Sequence, residues 1–417
     1  METNVNSNAK RIAIKVSLVA VISLLLLIPL AMIKGVIEDR EQTKDAVTEE
    51  VENSYAKSQT ISAPYLESYV FETITVDKNI EPSGKQTYVE DYDSYCSQVD
   101  YIANVETDIL HRSIYDVIVY NSKVQISGKL PITEKSVVAK DNEFCLKVTD
   151  IKGFSNPSLL TFGGQTFELR RQSEEFVADV VFPQGAKAGD VIDFAFTFDL
   201  KGTESLFFHP SDEGNTTLAI SSSYPHPGFQ GTLLPNTREV SGDGFNATWS
   251  VSSFNSSSWD DMGVKFVDPA NPYQQSMRSA KYGMLIIVLV FAAGLFVEFF
   301  TRKEINPIQY TVIGLSLVLF YSLLVAFSEF MTFGVAYIIA ALMTTGALMF
   351  YFRAILKSRS AYVLGAFVAV VYALNYMLLQ METYALLAGS VVLFLLLCVV
   401  MYLTANINNN KELAKTE

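Results

Sequence analysis

Three histidines, three cysteines and one proline-rich segment are the places in this chain where chemistry can be argued. His111, His209 and His226 are scattered along the sequence and give no zinc-ligand spacing. Hydrolysis needs a nucleophile, a base and an orienter, and no GxSxG, HExxH, phosphate-loop or dinucleotide pattern accompanies these histidines. Cys96 and Cys145 leave one intradomain disulfide open in an oxidising compartment, Cys398 lies in an apolar stretch, and none stands in a CxxC. The richest segment runs from Ser223 to Val240 and on from Gly244 to Trp249. Three prolines and two glycines hold it in an extended, turn-rich path that presents His226 and Arg238 on a stiff loop. Tyr224, His226, Phe229, Arg238, Glu239 and Trp249 are the binding candidates. The competing reading has His226 bonded to backbone and Arg238 in an ion pair, both pinning the loop. No catalytic residue, metal or cofactor is expected.

The elements that carry these residues follow from a split in composition. Of 417 residues, those from 34 to 280 carry 20 Lys and Arg against 37 Asp and Glu, a net charge of −17, while the remainder carries +4. Such acidity repels a phosphate backbone, so nucleic acid is not an expected partner, and a solubilising surface is the simplest use of the charge.

From Val16 to Ile33 the chain is uncharged, follows Lys10, Arg11 and Lys15, and is long enough to cross ~30 Å of hydrocarbon. It exceeds the apolar core of a cleaved signal peptide, so it reads as an uncleaved anchor after a cytoplasmic segment 1–15. Pro29 is tolerable near its far end. Five more apolar stretches occupy 282–301, 308–327, 333–352, 361–379 and 385–404, followed by a tail at 405–417. Arg302 and Lys303, then Arg353, Lys357 and Arg359, then Lys411 and Lys415 follow alternate spans, whereas Ser328–Thr332 and Gln380–Tyr384 contain no Lys or Arg. Basic residues in short loops stay cytoplasmic, so both termini are expected inside a bacterial inner membrane and 34–280 in the periplasm. Ionisable groups are costly in lipid. Glu298 is one helical turn before Arg302, a spacing for an ion pair. Glu329 and Glu382 fall at the outer boundary, leaving Asn375 and the hydroxyls of Tyr321, Ser322, Thr344 and Thr345 as mid-span polar groups. No acid near a midplane counts against a proton-coupled pump.

Residues 34–57 read as a helical stalk, with Val47, Val51 and Tyr55 on one face. Beyond it the period becomes two: Phe194, Phe196, Phe198 and Leu200 alternate with polar or small residues, as do Phe245, Ala247, Trp249 and Val251. Similar runs at Val117–Ile126, Phe144–Val148, Leu159–Arg170 with a Gly163-Gly164 turn, and Phe176–Phe182 predict an antiparallel β-sandwich. The fold class expected is thus an α+β membrane protein: one N-terminal transmembrane helix, a large periplasmic β-sandwich-like domain, and a C-terminal bundle of five transmembrane helices.

These strings, LLLLIPLAMI with VIEDR, YPHPGFQGTLLPNTREV with GFNATW, and FVEFF through NPIQYTVIGLSLVLFYSLLVAFSE to AYIIAAL, resemble the CreD family of cell envelope integrity inner-membrane proteins. The likeness spans nearly the whole chain and weakens at about 80–170. It implies expression tied to a two-component system sensing growth and envelope state, and levels that alter colicin sensitivity. The family has no agreed biochemical activity, so no catalytic residue carries over. The shared motifs mark Pro225, His226, Pro227, Phe229, Gly231, Pro235, Arg238, Glu239, Phe245 and Trp249 in the β region. In the membrane part they mark Glu298, Pro307, Gln309, Tyr310, Gly314, Ser328 and Glu329. The expectation is a non-enzymatic protein whose partners are the lipid bilayer and an envelope protein or cell-wall component. Two alternatives stand beside it: a transporter or lipid-handling channel using Glu298, Gln309, Tyr310 and Glu329, and an envelope enzyme using His226.

Overall fold

The computed structural model describes residues 2–75, 85–257, 259–269, 271–301 and 304–380, with positions 390, 394, 398 and 401 beyond them. The chain forms two compact units, Met1–Thr43 with Ala270–Glu417, and Lys44–Pro269.

In the helical unit, α1 (Glu2–Leu25) and α2 (Leu27–Ser54) are one nearly continuous helix interrupted at Leu26. Pro29 explains the interruption: its ring crowds the carbonyl four residues back, that of Leu25, and it has no N–H to bond it. The short α3 (Glu134–Val138) belongs to the β unit. Next come α4 (Pro272–Lys281) and α5 (Gly283–Thr301), bent by 44° at Tyr282. The sequence reading had not placed a helix at 272–281. There Asn271 caps the end by accepting from the Tyr273 N–H, and Pro272 suits the first turn. α6 (Pro307–Ser328) opens with a capping box between Asn306 and Gln309. α7 (Phe333–Leu356) ends on Lys357 in the left-handed conformation, and α8 (Ser360–Gln380) follows. Four helices among the described residues are long and apolar enough to cross a membrane, or five if α4 and α5 count as one span. The span expected at 385–404 lies outside the described residues apart from four isolated helical positions, as do Arg302, Lys303, Glu382, Lys411 and Lys415. Gly314 on α6 sits against Leu26, where a Cβ would collide with the leucine side chain, so the small residue sets how closely the helices approach.

The described residues of the β unit form three sheets. Eight strands follow one another across the largest: Thr237–Ser241, Gly244–Ser252, Asn215–Ser222, Gln98–Arg112, Tyr115–Pro131, Val191–Thr203, Leu160–Phe162 and Gln165–Phe167, with Phe154–Ser155 as a ninth pairing Val191–Thr203. A five-stranded sheet runs Arg170–Gln172, Glu175–Asp179, Asp141–Lys147, Tyr65–Thr75, Lys85–Tyr95. The third, of four strands, runs Gln59–Ile61, Ser205–Phe208, Met262–Phe266, Pro227–Gly231. Ile192, Phe194, Phe196, Phe198 and Leu200 are all buried, which is the alternation read from the sequence. Phe144 of the five-stranded sheet meets Phe194 and Phe196 at ring separations of 5.1 and 5.8 Å. Tyr101 and Tyr120 of the large sheet meet Phe208 and Phe266 of the small one at 4.9 and 5.4 Å. One inner face of the large sheet is therefore covered by both smaller sheets, a sandwich with a single aromatic core.

Two findings amend the sequence reading. Pairing is not wholly antiparallel: Asn215–Ser222 lies parallel to Gln98–Arg112, and Gln59–Ile61 parallel to Ser205–Phe208. Nor do Cys96 and Cys145 pair; both are free and buried. The Cys96 thiol donates to the Pro64 carbonyl at 3.0 Å, while Cys145 lies by the Glu67 carboxylate. Burial pushes the Cys96 thiol well above its ordinary range and Cys145 up to about 12, with Glu67 adding to the latter, so both are unreactive thiols. The end of α2 belongs with this unit, where Val51 packs on Val117 and Val119, with Val47 and Tyr55 beside them.

Candidate functional site

The proline-rich segment passes from the edge of one sheet to the edge of another. Pro227–Gly231 is the outer strand of the four-stranded sheet, and Thr237–Ser241 the outer strand of the large one. Prolines suit such a path, since they cannot donate to a ladder and are confined to edges. Among the described residues, both edges leave backbone N–H and C=O groups without a strand on one side.

The segment's side chains divide by role. Trp249 is 1% exposed, donates its indole N–H to the Leu233 carbonyl at 3.1 Å, and meets Phe229 edge-on at 6.1 Å. Phe229 also meets Phe245 edge-on at 5.7 Å. Tyr224 donates its hydroxyl to the Val267 carbonyl at 2.8 Å and packs on Phe266. These three are scaffold. His226 is exposed: its carbonyl accepts from the Val267 N–H at 3.2 Å, its ring lies against Tyr224, and no hydrogen bond from the ring is described. Pinning is therefore done by the His226 backbone, not its imidazole. Arg238 is exposed and rests over the Phe229 ring at 5.9 Å, where an ion pair was one reading. Such a contact holds an exposed guanidinium by only about 0.5–1 kcal/mol, so Arg238 stays available. Glu239 is exposed and lines a groove of about 590 Å³ with Asn104, Ser221 and Asn246, which register places in one row across four strands. Four polar side chains in a row and an open strand edge suit recognition of an extended segment of another molecule. They do not assemble a base with an orienter. His111, beside Asp116 at 2.6 Å, and His209, whose Nδ1 donates to the Asp260 carbonyl at 2.8 Å, are elsewhere.

In the helical unit the candidates separate into two clusters. Glu298 of α5 is 9% exposed, pairs with Lys15 of α1, and accepts from the Tyr310 hydroxyl of α6 at 3.3 Å. Glu329, after α6, pairs with Arg40 of α2 at 3.5 Å and accepts from the Tyr273 hydroxyl of α4 at 3.3 Å. Gln309 is spent on the α6 cap, accepting from the Asn306 N–H, and Ser328 donates to the Val325 carbonyl. A third, uncharged group links helices farther in: the Asn375 amide donates to Ser279 Oγ at 3.1 Å and to the Tyr337 hydroxyl at 3.0 Å, while Tyr337 donates to the Tyr372 carbonyl. Sequence reasoning found both glutamates but missed Lys15 and Arg40. A signal existed for Lys15, which directly precedes the first apolar run, but not for Arg40, which lies beyond the residues that end that run.

Comparison with known proteins agrees with the resemblance. A family model described as "Inner membrane protein CreD" matches residues 11–410. The Inner membrane protein CreD of Escherichia coli (strain K12) is 30% identical over 416 residues, covering 92% of this chain and 91% of that one. Among solved structures, an M1 zinc metallopeptidase from Deinococcus radiodurans is similar at a TM-score of 0.24 and 8% identity, over 45% of this chain and 53% of that one. A mutant of that enzyme with a bound tripeptide substrate gives the same values. Likeness at that level carries no argument about this chain.

Proposed function

We propose a function from one premise, that this chain belongs to the CreD family of inner membrane proteins. Its role is non-enzymatic support of cell envelope integrity. The β unit is held outside the cytoplasm with both termini inside, and it engages an envelope protein or cell-wall component. The helical unit anchors it. Basic residues after alternate apolar stretches support that orientation. The observation that carries the binding role is the segment 223–249, which brings two sheet edges and the exposed His226, Arg238 and Glu239 onto one stretch of chain. Against a transport role, Glu298 and Glu329 are each held in an ion pair, and no described acid links them.

The test is a chain carrying His226→Ala, Arg238→Ala and Glu239→Ala together. Each is a surface change expected to alter stability by no more than about 0.5 kcal/mol. Expression and thermal midpoint should match the parent, while rescue of envelope-stress sensitivity in a cell lacking the protein is lost. Full rescue by the triple variant would place the working surface elsewhere.

A further inference from the structure

A second concave surface of the β unit, on strands and loops that the segment 223–249 does not include, has the composition of a ligand site. The groove holds about 360 Å³, near the lower end of small-ligand sites and enough for one or two sugar rings. Trp259 lines it while being 89% exposed, so its indole adds nothing to the core and stands as an open flat face. Phe254, in the same connection, is fully exposed but does not line the groove, so exposure alone does not single out Trp259. Tyr95, half-buried, supplies a second aromatic ring, backed by Tyr65 at a ring separation of 6.4 Å.

The same lining carries groups suited to hydroxyls. Asp93 and Asp212 bring carboxylates. His209 is fixed through Nδ1 to the Asp260 carbonyl, which makes Nε2 the acceptor in the neutral ring. The one lysine in the lining, Lys147, is already committed: it pairs with Glu175 at 3.1 Å and lies over the Tyr65 ring at 4.9 Å. The lining carries two carboxylates, Asp93 and Asp212, against this one lysine, a net negative charge that disfavours acidic sugars and accepts neutral or amino sugars. A cationic peptide would use the carboxylates but would leave the aromatic faces unexplained. A pyranose uses both, its C–H face on the rings and its hydroxyls on the carboxylates and imidazole.

We infer that this groove binds a glycan built from neutral or N-acetylated amino sugars, one ring stacking on Trp259. The assignment relies on the proposed extracytoplasmic placement only for where such a glycan would be met. Binding by the purified chain stands or falls without it.

The experiment uses full-length protein in a detergent without a sugar headgroup, with N,N′-diacetylchitobiose as probe. The chain has two tryptophans, and Trp249 is buried, so a ligand-induced blue shift reports on Trp259. A saturable shift is expected, with ligand-observed NMR giving the same affinity. By NMR, Trp259→Ala and Asp93→Asn should each weaken binding by about tenfold or more. The inference is overturned if no saturable signal arises up to about 10 mM, if Trp259→Ala binds as well as the parent, or if trilysine binds and chitobiose does not. Because Trp259 and Asp93 lie outside the segment 223–249, loss of glycan binding leaves the proposed envelope role untouched, and the converse holds.

Discussion

Replacing Lys15 with methionine is expected to lower the stability of the purified chain by about 3 kcal/mol, read as a marked fall in thermal midpoint. Methionine suits an apolar helix, so propensity is not at issue. What changes is Glu298, 9% exposed, which among the described residues keeps only the Tyr310 hydroxyl once Lys15 is gone. An uncompensated buried carboxylate costs far more than the intact pair contributes, because the pair's attraction is largely offset by desolvation of both ions. The lysine side chain is 23% exposed, so the estimate sits at the low end of the range for buried pairs. The asymmetry gives an internal control: Lys15→Met combined with Glu298→Met should recover most of the loss. A single variant within about 0.5 kcal/mol of the parent would mean that the pair does not hold α1 to α5.

Trp249→Ala is expected to cost about 3–5 kcal/mol in the β unit, comparable to other buried aromatic truncations. The indole is 1% exposed, packs on Phe229 and holds the Leu233 carbonyl, so its removal opens a cavity and strands an acceptor. Chemical denaturation followed by circular dichroism should show a lower midpoint, while His226→Ala in the same assay should shift it little. Equal effects would contradict the division of the segment into scaffold and surface. Trp249 began as a binding candidate. The structure gives it to the core, and the alternation of Phe245, Ala247, Trp249 and Val251 already pointed there.

The sequence was most legible where period alone decides. Four of the five apolar stretches after 281 coincide with α5 to α8 within a few residues, because a span is fixed by length and hydropathy. The strand at Val191–Thr203 and the Gly163-Gly164 turn, with φ of 57° and 79°, were equally readable from alternation and glycine. What was hidden was long-range pairing. Gln98–Arg112 and Asn215–Ser222 lie parallel although more than a hundred residues separate them, and no local pattern encodes a partner that distant. The same limit hid the groove, since Tyr65, Tyr95, His209 and Trp259 come from four separate segments. The pairs of Glu298 with Lys15 and of Glu329 with Arg40 were hidden by the same distance: each cation arrives on another helix, whereas spacing along one helix offered Glu298 only Arg302, which lies outside the described residues, and offered Glu329 no partner.

The central claim is that the segment 223–249 faces an envelope partner in the living cell. The direct measurement places a photo-crosslinking amino acid at positions 226, 238 and 239 in turn, with position 171, on the exposed edge strand of the five-stranded sheet, as control. The account predicts a discrete adduct from the three sites that contains an envelope component and is absent from 171. No adduct from any of the three, or the same adduct from 171, would contradict it.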